Sequence, residues 1–223
     1  SERALKLAVA EMYVQGVSTR KVAAITQELC GHEVSSTQVS RAADLLDAEL
    51  EQWRNRPLGE IPYLILDARY EKVRHGGAVL DCAVLLAVGI TPEGKRSILG
   101  VSVSLSEAEV HWREFLESLQ RRGMHGTRLV VSDNHAGLKE ARQARLPGVP
   151  WQRCQFHLQQ NAMHYVPKVA LRGEVAAVLR AIFDAPDRAE ADRRLKMAVE
   201  KYSKTAPKLA QWLDDNLAEG LTV

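Results

Sequence analysis

Net charge is nearly absent from the 223 residues: Lys plus Arg number 30 against 28 Asp plus Glu. A polyanionic partner therefore has to be met by a local basic patch rather than by a cationic chain as a whole. Long hydrophobic runs are missing too. The longest, Cys82 to Ile90, falls well short of the roughly 18 uncharged apolar residues of a membrane span and has the length of a buried strand. The membrane is excluded as a residence. The opening Ser1-Glu2-Arg3-Ala4-Leu5-Lys6 lacks the apolar core and the cleavage pattern of a secretory signal. Cysteine is scarce: Cys30, Cys82 and Cys154 are odd in number and widely spaced, which fits reduced thiols and a cytoplasmic address better than a disulfide framework. What remains is 46% hydrophobic and 26% charged, an ordinary globular composition with room for one large or two small domains.

The first boundary falls at Arg54-Asn55-Arg56-Pro57-Leu58-Gly59, because proline cannot continue the preceding helix and glycine favours a turn. Upstream, Leu5, Ala8, Val9, Met12 and Tyr13 recur at helical spacing until Gly16. Ser18 or Thr19 then caps a second helix carrying Val22, Ile25 and Leu29, which stops at Gly31. Ser35 and Gln38 form a capping box at the start of a third helix, with Val34 and Val39 as the hydrophobic staple. Its apolar stripe through Leu46, Leu50 and Trp53 leaves Gln38, Ser40 and Arg41 on the outer face of the first turn. Three helices with short turns and such an opening are what a helix-turn-helix reader of the major groove presents, Gln addressing adenine and Arg guanine. A plain three-helix bundle without a ligand has the same pattern.

After the boundary the periodicity becomes that of strands. Ile61 to Asp67 reads as a buried strand ending in a carboxylate, followed by Ala78 to Ile90 and Arg96 to Leu105, turned through Thr91-Pro92-Glu93-Gly94. A helix from Glu107 to Arg122 ends at Gly123. Arg128 to Asp133 is a strand that again ends in Asp, and a helix from His135 to Arg145, a strand from Trp151 to Phe156 and helices to the end complete the order. This is the order of an RNase H-like α/β domain, in which the first and fourth strands lie parallel and adjacent. Asp67 and Asp133 are then neighbours at one sheet edge, where α/β sites form. Two carboxylates brought together repel unless they share a cation, and hard oxygen ligands suit Mg²⁺ or Mn²⁺. An Asp at a strand end also caps the following turn, and on the residues alone both readings stand.

Three ordered stretches carry a resemblance: Tyr63-Leu64-Ile65-Leu66-Asp67-Ala68-Arg69-Tyr70-Glu71-Lys72-Val73-Arg74, Val131-Ser132-Asp133-Asn134-His135-Ala136-Gly137-Leu138, and Trp151-Gln152-Arg153-Cys154-Gln155-Phe156-His157. Together with Gly100, Trp112 to Leu116 and the upstream Met12-Tyr13 and Arg56-Pro57-Leu58, they resemble the Mutator-like bacterial insertion-sequence transposases over nearly the whole chain. The resemblance implies a DDE-type transposase that binds the element's terminal repeats and target DNA, cleaves and joins strands with Mg²⁺ or Mn²⁺, and works as a homo-oligomer on the bacterial nucleoid. It places two of the three metal carboxylates on Asp67 and Asp133. It also implies a Cys-x-x-His pair, met by Cys154 and His157, with a hydrogen-bonding and packing role beside the site; half of a zinc site is the alternative.

The resemblance puts the third carboxylate in a helix following a helical insertion, and the sequence reaches Val223 inside that insertion. Glu109, Glu174, Glu190 and Glu219 stand outside the expected context. The expectation is therefore a fragment or truncated relative, with a helix-turn-helix-like segment over 1–57, an incomplete RNase H-like domain over 58–166 and the start of the insertion over 167–223. Arg69, Lys72, Arg74 and Arg153, with Arg121 and Arg122, are candidates for phosphate contacts. A DNA-binding regulator without catalysis and an RNase H-like nuclease on other substrates are the rival functions.

Overall fold

A computed structural model describes residues 8, 11–12, 17, 19–31, 35–75 and 77–222. The chain divides into two compact units, residues 1–56 and 57–223. In the first, helix α1 spans Thr19–Cys30. Val22 and Thr26 are buried on one face, and Thr26 returns its hydroxyl to the carbonyls of Val22 and Ala23 at 3.0 and 2.9 Å. Gly31, at φ 65°, takes the left-handed turn that ends the helix.

Helix α2, Ser36–Asn55, opens on the expected capping box: Ser35 Oγ accepts from Gln38 N at 3.2 Å and Gln38 Oε1 accepts from Ser35 N at 2.8 Å. It closes where Arg56, extended as a residue before proline must be, lays its guanidinium over Trp53 at 4.5 Å. Val34, the side chain of Val39 and most of the helix expected over Leu5 to Tyr13 lie outside the described residues. Of that helix, Ala8, Glu11 and Met12 are described and helical.

The second unit is built on a five-stranded mixed sheet of order β3-β2-β1-β4-β5. β1 is Tyr63–His75, β2 Ala78–Ile90, β3 Arg96–Ser104, β4 Leu129–Ser132 and β5 Trp151–Arg153. β1, β2 and β3 form an antiparallel meander, and β4 joins β1 in parallel, as does β5 β4. That order and polarity are those expected of an RNase H-like sheet. Helices α3, Glu109–Arg121, and α4, Ala136–Arg145, cover one face over Leu64, Leu66, Leu85 and Leu99, with Trp112, Leu116 and Leu119 fully buried between. Each such side chain contributes about 1.5–3 kcal/mol by leaving water. Gly100 lets α3 approach, since a Cβ there would stand 3.1 Å from Phe115.

Two boundaries differ from the sequence expectation. β1 does not end at Asp67 but continues eight residues to His75, because β2 supplies an unbroken antiparallel partner from Tyr63↔Ile90 to His75↔Ala78. β3 stops pairing at Ala83↔Ser104, so the outer part of β1 and β2 is a two-stranded ribbon of mostly exposed residues. β5 ends at Arg153 rather than Phe156, since Cys154 gives its N–H to Ser132 O at 2.7 Å and then caps α5, Gln155–Met163.

A second core lies among α6, Arg172–Phe183, α7, Arg188–Tyr202, and α8, Pro207–Asn216, around Leu179, Ile182, Leu209 and Leu213. A 3₁₀ turn, Leu217–Gly220, follows α8 and returns to the sheet edge. Among the described residues no helix is long and apolar enough to cross a membrane.

Gly137 seats the start of α4 against the backbone ahead of α3: a Cβ there would lie 2.3 Å from Glu107 O and 2.8 Å from Glu109 N. Backbone cannot swing aside as a flexible side chain would. Gly137→Ala is expected to cost about 1–3 kcal/mol, measured by urea unfolding, whereas Gly173→Ala, with open space around its Cβ position, should leave stability equal or higher.

Candidate active site

The site starts from the register of two parallel strands. Ile65 lies opposite Val131 in the β1–β4 pairing, and two residues further along each chain, on the same face, stand Asp67 and Asp133. Neighbouring strands are about 4.8 Å apart, so the two carboxylates share the carboxyl edge of the sheet. Their side chains are 51% and 42% exposed.

Helix α5 brings the third motif to the same edge. Cys154 is its N-cap, tied through its backbone to Ser132, and one turn in, His157 turns its Nε2 to within 3.9 Å of Asp67 Oδ1. Cys154 is thus the anchor of the helix and His157 the side chain that reaches the carboxylate. The Nδ1 of His157 is buried without a hydrogen-bond partner.

Two further groups close around the aspartates. Glu107, from the turn between β3 and α3, is 15% exposed and lies 3.8 Å from His135 Nδ1. Burial first, and then the charges of Asp67 and Asp133, push its carboxyl above the ordinary range, while His135 opposes the shift. Arg153, at the end of β5, is 10% exposed; its Nε stands 3.5 Å from Asp133 Oδ1. Its Nη1 donates to Glu219 Oε2 at 3.1 Å and Asn216 Oδ1 at 3.2 Å.

The donor chemistry fits a hard divalent cation. Asp67 and Asp133 offer carboxylate oxygens on one edge, and Asp133 Oδ1 is buried with no hydrogen bond, an acceptor whose lone pairs are not otherwise used. Among the described residues no set of three or more His, Cys, Asp or Glu is arranged to hold an ion.

The basic candidates divide by environment. Lys72 and Arg74 are exposed on the β1–β2 ribbon, and Arg69, also exposed, pairs with Glu71 at 2.5 Å. Arg121 lies 3.9 Å from Glu117, and Arg122 donates to Leu99 O at 2.8 Å. Arg153 differs from the expected phosphate contact, for its guanidinium is turned inward onto protein acceptors. In the first unit Gln38 is exposed but commits its carbonyl to the Ser35 N–H, so the bidentate reading of adenine competes with the cap. The side chains of Ser40 and Arg41 lie outside the described residues.

Sequence reasoning missed Glu107 and Gly137. Glu107 reads as a helix-start residue in Ser106-Glu107-Ala108-Glu109, and only the close approach that Gly137 permits brings it to the aspartates.

Residues 1–223 match the family described as Transposase, Mutator family. The transposase for insertion sequence element IS406 of Burkholderia multivorans is 59% identical over 225 residues, covering 100% of this chain and 58% of the relative. That for ISRM5 of Rhizobium meliloti is 45% identical over 223 residues, covering 100% of this chain and 56% of the relative. The chain thus spans a little over half the length of these relatives. The HTLV-2 integrase catalytic core domain in complex with magnesium aligns with 60% of this chain and 92% of its own at 14% identity and a TM-score of 0.28, too low to bear on the fold. The match over the full chain and the identity of its relatives settle the family: the protein belongs to the Mutator family of transposases.

Proposed function

We propose that this chain carries the DNA-recognition segment and two of the metal-binding carboxylates of an insertion-sequence transposase that cuts and joins DNA strands. The observation that carries the reading is the β1–β4 register, which brings Asp67, within β1, beside Asp133, just past the end of β4, in a member of a transposase family. A Mg²⁺ or Mn²⁺ bound there would supply activation of water or of a DNA 3′-hydroxyl and charge stabilisation for the leaving oxygen at phosphorus. Asp67 and Asp133 would hold it. His157 orients Asp67, and Cys154 fixes the helix that carries His157.

Residues 1–57 form the segment that recognises the terminal repeats, through Ser40, Arg41 and the amide N–H₂ of Gln38. Residues 58–166 form the catalytic domain, and 167–223 begin a helical insertion. Lys72 and Arg74 on the projecting ribbon, with Arg69 at its base, contact backbone phosphates. The working form is a homo-oligomer on DNA.

Mn²⁺ is expected to raise the melting temperature of the chain, since a ligand that binds only the folded state stabilises it, and to have no such effect on Asp67→Asn. In a strand-transfer assay with terminal-repeat DNA, the 223-residue chain should act about 10² to 10³ less than a full-length relative, the usual loss when one transition-state stabiliser is missing. Robust joining by the chain, abolished by Asp67→Ala, would mean that a carboxylate within it completes the site; an unchanged melting temperature with Mn²⁺ would remove the metal reading.

DNA binding should be lost on deletion of residues 1–57. Arg41→Ala should weaken binding and, if Arg41 meets a phosphate, reduce the salt slope by about 1. Gln38→Ala should cost about 1 kcal/mol of helix stability through the lost cap, whereas Gln38→Glu keeps the capping box and isolates any base preference. Selection of binding sites with Gln38→Glu measures this, and an unaltered preference would assign Gln38 to the cap alone.

A further inference from the structure

Arg153 is a charged group in a place that ordinarily excludes charge. Its side chain is 10% exposed, and taking a guanidinium out of water costs several kcal/mol unless counter-charges surround it. Two carboxylates from distant parts of the chain do so, on different sides of the planar fork: Asp133 lies 3.5 Å from Nε and Glu219 lies 3.1 Å from Nη1, with Asn216 Oδ1 at 3.2 Å. The Asp133 side is the looser one. Neither Arg153 Nε nor Asp133 Oδ1 makes a hydrogen bond, although both are buried. The cation and the aspartate face each other at a distance that leaves Asp133 Oδ1 available to another ligand.

Glu219 comes from the Leu217–Gly220 turn, which is fixed to the sheet edge by contacts other than the ion pair. Thr222 N donates to Gln152 Oε1 at 3.1 Å, Thr222 Oγ1 to Trp151 O at 2.8 Å, and Gln155 Nε2 to Gly220 O at 2.9 Å. Gly220 packs where a Cβ would stand 2.5 Å from Leu158. Neutralising Glu219 therefore leaves the turn docked and changes the charge it presents to Arg153 and to Asn134, whose Nδ2 donates to the same Oε2 at 3.5 Å.

We infer that Arg153 is a positioning residue whose charge is divided between Asp133 and Glu219, so that the docked 217–222 turn sets how strongly Asp133 holds a divalent cation. With Glu219 charged, the guanidinium is drawn toward the turn and Asp133 is free for metal. Without that charge, the same guanidinium neutralises Asp133 and competes with the cation. The helical segment and the metal edge of the sheet are thereby coupled through one side chain. This rests on the reading of Asp67 and Asp133 as a cation-binding pair.

The test measures Mn²⁺ binding to the 223-residue chain by electron paramagnetic resonance of the free ion, with circular dichroism confirming the fold of each variant. Glu219→Gln is expected to weaken Mn²⁺ binding about tenfold, within the usual range of coupling between two sites, and Glu219→Asp to recover most of the loss. Adding Arg153→Gln, or the apolar Arg153→Met of similar length, to Glu219→Gln should return affinity to within about threefold of the parent, because the competing cation is gone. Glu219→Gln binding Mn²⁺ like the parent, or a double variant no tighter than Glu219→Gln alone, overturns the inference while Asp133→Asn still abolishes binding. If the parent and Asp133→Asn bind Mn²⁺ alike, the cation-pair reading itself falls and the inference falls with it.

Discussion

The parallel pairing of β1 with β4 is the constraint on which the site depends. Three register pairs, Tyr63↔Leu129 to Ile65↔Val131, hold the two strands, and everything chemical lies two residues beyond the last of them. A slip of one residue would turn one aspartate to the opposite face of the sheet. The pairing is protected by burial: Leu64 and Val130 are fully inaccessible, and α3 and α4 press on that face, with Gly137 removing the Cβ that would hold them apart. The core thereby fixes the carboxylates to a geometry that their mutual repulsion opposes.

That repulsion shapes the neighbourhood. Asp67 is met by His157, Asp133 by Arg153, and Glu107, placed near both, keeps its proton to a higher pH than a solvated glutamate and has His135 as its nearest counter-charge. The acidic edge is thus bordered by cationic or protonatable groups from three elements. A divalent cation binding there would replace part of this local compensation instead of entering an uncompensated acidic pocket.

Arg153 shows how far the site reaches into the rest of the unit. Its partners are separated from it by 63 and 66 residues in the chain on the Asn216 and Glu219 side, so the last turn of the helical segment is part of the electrostatics at Asp133. The β1–β2 ribbon extends the other way, carrying Lys72 and Arg74 into solvent beyond the last β3 pair. Its residues are solvent-exposed because no third strand covers them, which is why their charges did not read as strand.

The sequence alone determined the strand and helix order and the capping box of α2, because each rests on local periodicity or on a cap within four residues. It also determined the family, through three ordered stretches. The tertiary structure alone decided which charged residues are not on the surface. Arg153 looked like any other arginine beside a site until the return of the 217–222 turn buried it, and Glu107 looked like a helix start until the close packing at Gly137 carried it to the aspartates. The extent of β1 past Asp67 depended likewise on β2. In each case the deciding partner lies far along the chain, and no local pattern encodes a contact whose energy is set by burial and counter-charge.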